Sequence, residues 1–521
     1  MNWRRFWRAE TGIFLGIWLV LLLLGRSATL RDPGTFWHVR VGQEILDSGH
    51  VVRSDSLSFT RFGQPWVADQ WLAECGMAAV HGLAGFDGLL LVTATLLAGL
   101  YAWVASRLLR AGFHVLLVGV VLALVLLASS HQFLARPLIL TIALLGLAFS
   151  LLVDVEAGRQ RLSRLWWLVP LMVLWANVHP GVLAGIGTLG LVLLGWAVAW
   201  TLGKDSPVRH PRDLIALAAL LLACGTSVLA NPYGLDLPRA WARTLAIPLP
   251  GLIQEHRPLD LTDPLGWTVV LLGLGYVVTL VGVLPRWPRV TWLMPLAWLV
   301  LAAGRVRNVP LFAVVTAITA AEVLPASRWA GWLRRREMLL PGRQGSGVRG
   351  QHSAFSIQHS AFSIQHSAFS LVPVLLVVAA MLLQLAAVRA PVVGRGWAKL
   401  DPARWPVGIL AELERINATS PEGTPIFNDL NYGGLLIYYA PRLRVFIDDR
   451  CPLYGAEFLQ EYDRARREDP AQIDRWQQQY GFSYALVQTG SQFDRCLDRS
   501  GEWTLVRRVS AAALYRRDSG R

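Results

Sequence analysis

The sequence predicts a polytopic α-helical membrane protein of about 11 transmembrane helices with a soluble α/β domain at its C-terminal end. Of its 521 residues, 54% are hydrophobic and only 16% charged, for a mean hydropathy of +0.42; soluble domains carry about a quarter charged residues. The apolar residues also gather into windows of about 17–25 residues, long enough to cross a bilayer. From residue 400 the chain becomes charged and alternates strand-like with helix-like segments, which predicts the appended domain.

The N-terminal stretch MNWRRFWR runs into IFLGIWLVLLLL and then Gly25-Arg26, with no small-residue cleavage pattern. The expected first span, near 11–27, is therefore retained. Further spans are expected near 87–106, 112–130, 137–154, 165–178, 181–202, 213–230, 266–284, 289–304, 309–325 and 371–389. Residues 1–325 thus form a transmembrane domain with a long loop at 31–85, and 326–370 form a basic loop before the last span. Within that loop, QHSAFSIQHSAFSIQHSAFS repeats a short unit whose apolar residues are adjacent rather than at coiled-coil positions, so it reads as a low-complexity insertion without chemistry.

The net charge of +14 comes from arginine, since Lys204 and Lys399 are the only lysines. Alternate connections sort that charge. One set holds Arg4, Arg5 and Arg8, then Arg107 and Arg110, Arg159 to Arg164, Lys204 to Arg212, Arg286 and Arg289, and Arg328 to Arg336. The other holds most of the loop carboxylates. This is the positive-inside pattern; it places the N-terminus in the cytoplasm and residues 31–85 and 400–521 outside. The basic balance therefore reports membrane orientation and not nucleic-acid binding.

The outside loop is rich in Phe, Trp and Leu, which predicts helices lying in the membrane interface: Phe36, Val39, Ile45, Leu46, Trp66, Trp71 and Leu72 would sit at headgroup depth. Three acids stand out there: Asp32 before Trp37-His38, Asp69 in WVADQW, and Glu74. Asp32, followed by Pro33-Gly34, also suits a helix cap. Other outside turns carry Arg136, Asn177, His179, Glu255, Arg257, Arg305 and Arg307 at the ends of spans, where ionisable groups face a cavity or a substrate more readily than lipid. Each could instead be a snorkelling anchor.

In the tail, TPIFND, LRVFIDDR, SYALVQ, WTLVRRV and AALYRR read as strands, and AEFLQEYDRARRE and AQIDRWQQQYG as helices. Asn428, Asp429, Asp448, Asp449 and Arg450 fall at strand ends, where they serve either function or turn capping. Cys451 and Cys496 share this domain and could pair in an oxidising compartment. There is no CxxC and no HExxH to indicate zinc, and Asn417-Ala-Thr is a formal glycosylation sequon.

The segments DPGTFWHVRVGQEIL, DSLSFTRFGQPWVADQWLAE, ARP, WANVHPG, NPYG and FIDDRCPLYG resemble a group of bacterial membrane proteins related to the GT-C superfamily of polytopic glycosyltransferases. That superfamily includes protein O-mannosyltransferases, lipid A aminoarabinose transferases and oligosaccharyltransferase catalytic subunits. The resemblance implies transfer of a sugar from a polyprenyl-phosphate donor to an extracytoplasmic acceptor at a cell inner membrane. It maps a catalytic or metal-binding acid onto Asp32 and leaves a divalent cation, Mg or Mn, open. A second acid is expected, with Asp69, Glu74 and Glu255 competing because no DxD or DE pair stands near Arg136 or Asn177. Asp32, Asp69 and Glu74 are then the catalytic candidates. Trp37, His38, Arg136, Asn177, His179, Glu255, Arg257, Arg305 and Arg307 are the substrate-binding candidates, with guanidinium suited to the lipid phosphate. A transporter of lipid-linked solutes and a non-enzymatic assembly or scaffold protein remain alternatives.

Overall fold

The structure, a computed structural model, describes residues 9–246, 256–340 and 371–518; the 351–370 repeat and Glu255 lie outside the described residues. The membrane region is built from α1 (Ala9–Ala28), α2 (Gly34–Ser48), α3 (Trp71–Arg110), α4 (Val115–Ser129), α5 (Leu138–Glu156), α6 (Leu168–Val178), α7 (Val182–Thr201), α8 (Pro211–Thr226), α9 (Asp236–Ala246), α10 (Pro264–Val281), α11 (Val290–Gly304), α12 (Val309–Ala326), α13 (Trp329–Arg335) and α14 (Leu371–Leu385). Among the described residues, eight helices are long and apolar enough to cross a membrane. Three shorter apolar helices, at Leu162–Val178, Val290–Gly304 and Leu371–Leu385, fall on the remaining expected windows. The buried α5 and α12 form the centre of the bundle, whereas α1, α8 and α10 leave most of their length exposed, as helices facing lipid do.

Two ends of the bundle differ in chemistry. At one end Asp154 accepts from Arg107 (2.7 Å) and Arg159 (2.6 Å), Arg159 reaches Glu322 at 2.8 Å, and Glu156 caps α11 by accepting from the backbone of Val290 and Thr291. The opposite end carries α2, the start of α3, the turns after α4, α6 and α8, and the C-terminal domain.

α3 continues through its outer part into its span with one break, at Gly85, whose φ of 62° and ψ of −153° are open to glycine. The part before the break, together with α2, belongs to the expected outside loop. There the expectation of helices lying in the membrane interface is corrected. Phe36, Val39 and Val41 of α2 are fully buried and Ile45 nearly so; Leu46 is exposed and Trp66, Trp71 and Leu72 are half-buried. α2 has protein on both sides: α3 on one, the C-terminal domain on the other. On the α3 side, a Cβ at Gly42 would lie 2.0 Å from the Glu74 carbonyl oxygen. The apolar residues that suggested lipid contact are the core between two layers.

The C-terminal domain comprises α15 (Leu410–Thr419), β1 (Thr424–Asn428), α16 (Gly433–Tyr439), β2 (Leu443–Val445), α17 (Cys451–Arg467), α18 (Gln472–Tyr480), β3 (Tyr484–Gln488), α19 (Gln492–Arg499), β4 (Trp503–Arg508) and β5 (Ala512–Arg517). Its five-stranded sheet has the order β2-β1-β3-β5-β4, parallel from β2 to β3 and antiparallel from β3 to β4. Aromatic side chains fill one face, with Phe427, Phe446, Trp476 and Phe493 in mutual contact. All four cysteines, Cys451 and Cys496 among them, are free thiols.

Three contacts fasten this domain to the membrane end. Residues 57–59 pair with the free edge of β2, through Phe59 N–H to the Val445 carbonyl (3.0 Å) and Val445 N–H to the Leu57 carbonyl (3.1 Å). Arg450 is buried between Asp448 (2.7 Å) and Asp55 (2.7 Å), with its guanidinium 4.6 Å from the Trp66 ring centroid. α16 begins so close to the Asp32 turn that a Cβ at Gly434 would lie 2.1 Å from the Pro33 carbonyl oxygen.

Candidate active site

Asp32 sits where α1 has ended and the chain turns into α2. Its Oδ1 accepts from the Gly34 N–H at 2.7 Å, which is the capping role. Its Oδ2 accepts from Arg136 Nη1 at 2.7 Å, an ion pair from the turn before α5. The two readings of Asp32, cap and charged site, are therefore both realised in one side chain. Arg136 is set by its surroundings: it also donates to Gln132, and the adjoining Ala135 is held by Thr29 and by the Thr35 hydroxyl (3.0 Å).

A second carboxylate arrives from the C-terminal domain. Asp449, in the FIDDR turn after β2, accepts from Trp37 Nε1 at 2.8 Å. A carbon built on Gly34 would lie 2.9 Å from Asp32 Oδ1 and 3.1 Å from Asp449 Oδ2, so the two oxygens are within about 6 Å. Burial first, then the Asp32 and Asp448 carboxylates, push the Asp449 carboxyl well above its usual range. Two like charges this close favour retention of a proton on one of them. Asp449 was visible in the sequence only as one of several acids at strand ends; its partner lay at the other end of the chain.

Glu74 and His38 face each other beneath this pair, with Nδ1 3.0 Å from Oε1 and both side chains buried. Asp69, in the turn before α3, lies near enough for its carboxyl to be affected by both. Burial and the Glu74 charge push it up to about 6. A carboxyl raised on folding destabilises the folded state above its folded pKa and not below its unfolded one. Asp69→Asn is accordingly expected to raise the melting temperature at pH 7.5, with the gain shrinking as pH falls through 6 and vanishing below about 4. A thermal-shift series over pH measures it.

Asn177 and His179 close α6. Asn177 is committed to packing: its Oδ1 accepts from Trp71 Nε1 (2.8 Å) and its Nδ2 donates to the carbonyls of Val173 and Ala230 (2.8 Å each). His179 Nδ1 accepts from the Gly181 N–H (2.9 Å) and meets the Thr141 hydroxyl at 2.9 Å. Burial, then the Arg307 and Arg136 charges, hold this imidazole neutral.

Arg307 lies 3.1 Å from His256 Nε2. Burial and the Arg307, Arg305 and Arg136 guanidiniums push His256 down to about 4. Arg305 and Arg257 are exposed, and the Arg257 carbonyl accepts from the Val306 N–H at 3.0 Å. Most of the expected residues are thus brought to one end of the bundle, with Asp32, Trp37 and Arg136 beside Asp449, and with Arg305 and Arg307 forming a cationic flank around a neutral His256. Beside Asn177 a cleft of about 530 Å³ opens between Trp71, Leu72, Val173, Leu174 and Pro232, apolar apart from Asn177 and Asn231.

The donor set fits a divalent cation poorly. Among the described residues no three His, Cys, Asp or Glu side chains converge in a cluster that could hold a metal. Both Asp32 oxygens already have partners, one of them the Arg136 guanidinium.

No protein-family model and no curated protein sequence matches the chain. Solved structures do. The archaeal oligosaccharyltransferase AglB from Archaeoglobus fulgidus, in complex with an inhibitory peptide and a dolichol-phosphate, aligns over 94% of this chain and 70% of its own with a TM-score of 0.50 and 11% identity. The Archaeoglobus fulgidus oligosaccharyltransferase tethered to an acceptor peptide aligns over 91% and 69% with a TM-score of 0.53 and 12% identity. The chain therefore has a fold like that of these oligosaccharyltransferases, a polytopic helical membrane region followed by a soluble domain.

Proposed function

We propose that the protein is a membrane glycosyltransferase that moves a sugar from a polyprenyl-phosphate donor to an acceptor on the extracytoplasmic face of the cell membrane. The observation that carries this is the meeting of Asp32, from the first loop, with Asp449, from the C-terminal domain, beside Arg136 at one end of the membrane bundle. Sugar transfer from a lipid phosphate builds positive charge on the anomeric carbon and negative charge on the departing phosphate. Carboxylates stabilise the first and guanidiniums the second. Asp32 supplies the fixed negative charge, Asp449 supplies a second carboxyl within reach of a sugar hydroxyl, and Arg136, Arg305 and Arg307 favour the phosphate. The apolar cleft beside Asn177 has room for part of a prenyl chain. A dolichol-phosphate is present in the complex of one structural neighbour, which supports a lipid-phosphate donor here.

The test is sugar transfer in reconstituted membranes from a panel of polyprenyl-phosphate donors. Release of lipid phosphate coupled to a glycosylated acceptor is the expected result, and no transfer from any donor would overturn the reading. The orientation follows the arginine sorting, with residues 31–85 and the C-terminal domain outside. Single cysteines at Ser58 and Ser491, in a background with the four native cysteines removed, are expected to react with an impermeant thiol reagent on spheroplasts once the fold is loosened. Labelling of both only after the membrane is breached would reverse the orientation.

A further inference from the structure

Glu74 and His38 form a buried pair that the electrostatics of transfer do not use. Glu74 Oε1 lies 3.0 Å from His38 Nδ1, while Glu74 Oε2 is buried with no hydrogen-bond partner. A carboxylate only accepts hydrogen bonds, so it places the imidazole proton on Nδ1 and leaves the Nε2 lone pair unclaimed. Nε2 makes no hydrogen bond among the described residues, and 6% of the side chain is exposed. The histidine follows Trp37, whose indole holds Asp449, and its ring centroid lies 3.7 Å from that of Trp37. Asp32, by contrast, has both carboxylate oxygens engaged, one by an amide and one by a guanidinium.

We propose that His38 is the general base of the transfer, with Glu74 as its positioning residue; this rests on the glycosyltransferase reading and assigns the proton that the reading leaves open. The acceptor O–H loses its proton to His38 Nε2 as its oxygen forms a bond to the anomeric carbon. The anomeric carbon–oxygen bond to the lipid phosphate breaks, and its electron pair leaves on the phosphate oxygen. The imidazolium so formed faces Glu74, whose unpartnered oxygen gains a neighbouring positive charge, and the proton is returned to water before the next turnover. The other charged or titratable groups near His38 are Asp69 before α3 and His179 after α6, and His179 itself feels the charges of Arg136 before α5 and Arg307 before α12. Arg40 and Glu44 follow it on its own helix.

A purely structural pair would tie α2 to α3 and leave the pH dependence of transfer untouched, so the pH profile discriminates. Wild type is expected to lose kcat on the acid side as the base takes up a proton. His38→Gln keeps a donor to Glu74, so its fold should persist by thermal unfolding. Its kcat is expected to fall by roughly a hundredfold or more, with the acid limb removed and KM for the lipid donor within about twofold. Glu74→Gln is expected to move the limb to lower pH, because a neutral amide no longer favours imidazolium. Asp69→Asn is expected to keep the limb, which separates it from the Asp69 carboxyl. Transfer by His38→Gln with the wild-type limb would overturn the base while leaving the glycosyltransferase reading intact. Absence of transfer by wild type from every donor would overturn both.

Discussion

Asp32→Asn is expected to reduce sugar transfer by two or more orders of magnitude, a loss of about 3 kcal/mol of transition-state stabilisation. The substitution keeps the shape of the side chain and its acceptance from the Gly34 N–H, and asparagine is nearly as good a helix cap as aspartate. What disappears is the charge facing Arg136 at 2.7 Å. If Asp32 served the turn alone, the variant would be nearly silent in transfer. Because the ion pair is mostly buried, thermal unfolding is measured alongside: a protein that still unfolds cooperatively near the wild-type temperature but no longer transfers sugar shows a catalytic effect. Arg307→Lys provides the companion. It retains the charge but loses the planar fork, so it is expected to raise KM for the lipid donor with a smaller effect on kcat. Full activity in Asp32→Asn would remove this residue from the chemistry.

Arg450→Met is expected to destabilise the protein by about 3–5 kcal/mol and to release the C-terminal domain from the first loop. Arg450 donates to both oxygens of Asp448 and to Asp55, and all three side chains are buried. Removing the cation leaves two carboxylates facing each other without solvent, and the hydroxyl of Tyr454, already on Asp448 at 2.8 Å, cannot neutralise them. Asp449 is the neighbouring residue, so loosening this lock should also withdraw the second carboxylate from Asp32. Limited proteolysis at residues 390–400, together with the transfer assay, measures both consequences. The triple change that also replaces Asp55 and Asp448 with apolar residues is expected to recover much of the stability, since no buried charge is then left unpaired. Retention of wild-type protease resistance in Arg450→Met would show that the strand pairing at Val445 and the close approach at Gly434 suffice without it.

The contrast between what was legible and what was not has a physical basis in particular residues. The strands at TPIFN, YALVQ and AALYRR, and the helices over 456–467 and 472–480, lie where their periodicity placed them, since each pattern is written in consecutive residues. α16, packed on the Asp32 turn, was missed because GGLLIYY is too short and too apolar to show a helical period. α2 was identified as helical and aromatic but assigned to the wrong surroundings: an apolar stripe reports that it will be covered and is silent on whether lipid or protein covers it.

Composition and contiguous hydrophobic length determined by themselves that this chain crosses a membrane many times, that its arginines divide between alternate turns, and that an α/β unit follows. These are properties of short windows, and lipid solvation enforces them one segment at a time. Only the tertiary structure brings Asp449 beside Asp32, where the sequence offered Asp69, Glu74 and Glu255 as the competing acids. Trp37 and Asp449 meet across 412 residues of chain, and their encounter depends on three local accidents of packing: a strand edge open at β2, a guanidinium between two buried carboxylates, and a glycine where α16 touches Pro33. No window of sequence holds that information, because the free energy that selects the contact is the burial of an interface between segments that are strangers in the chain.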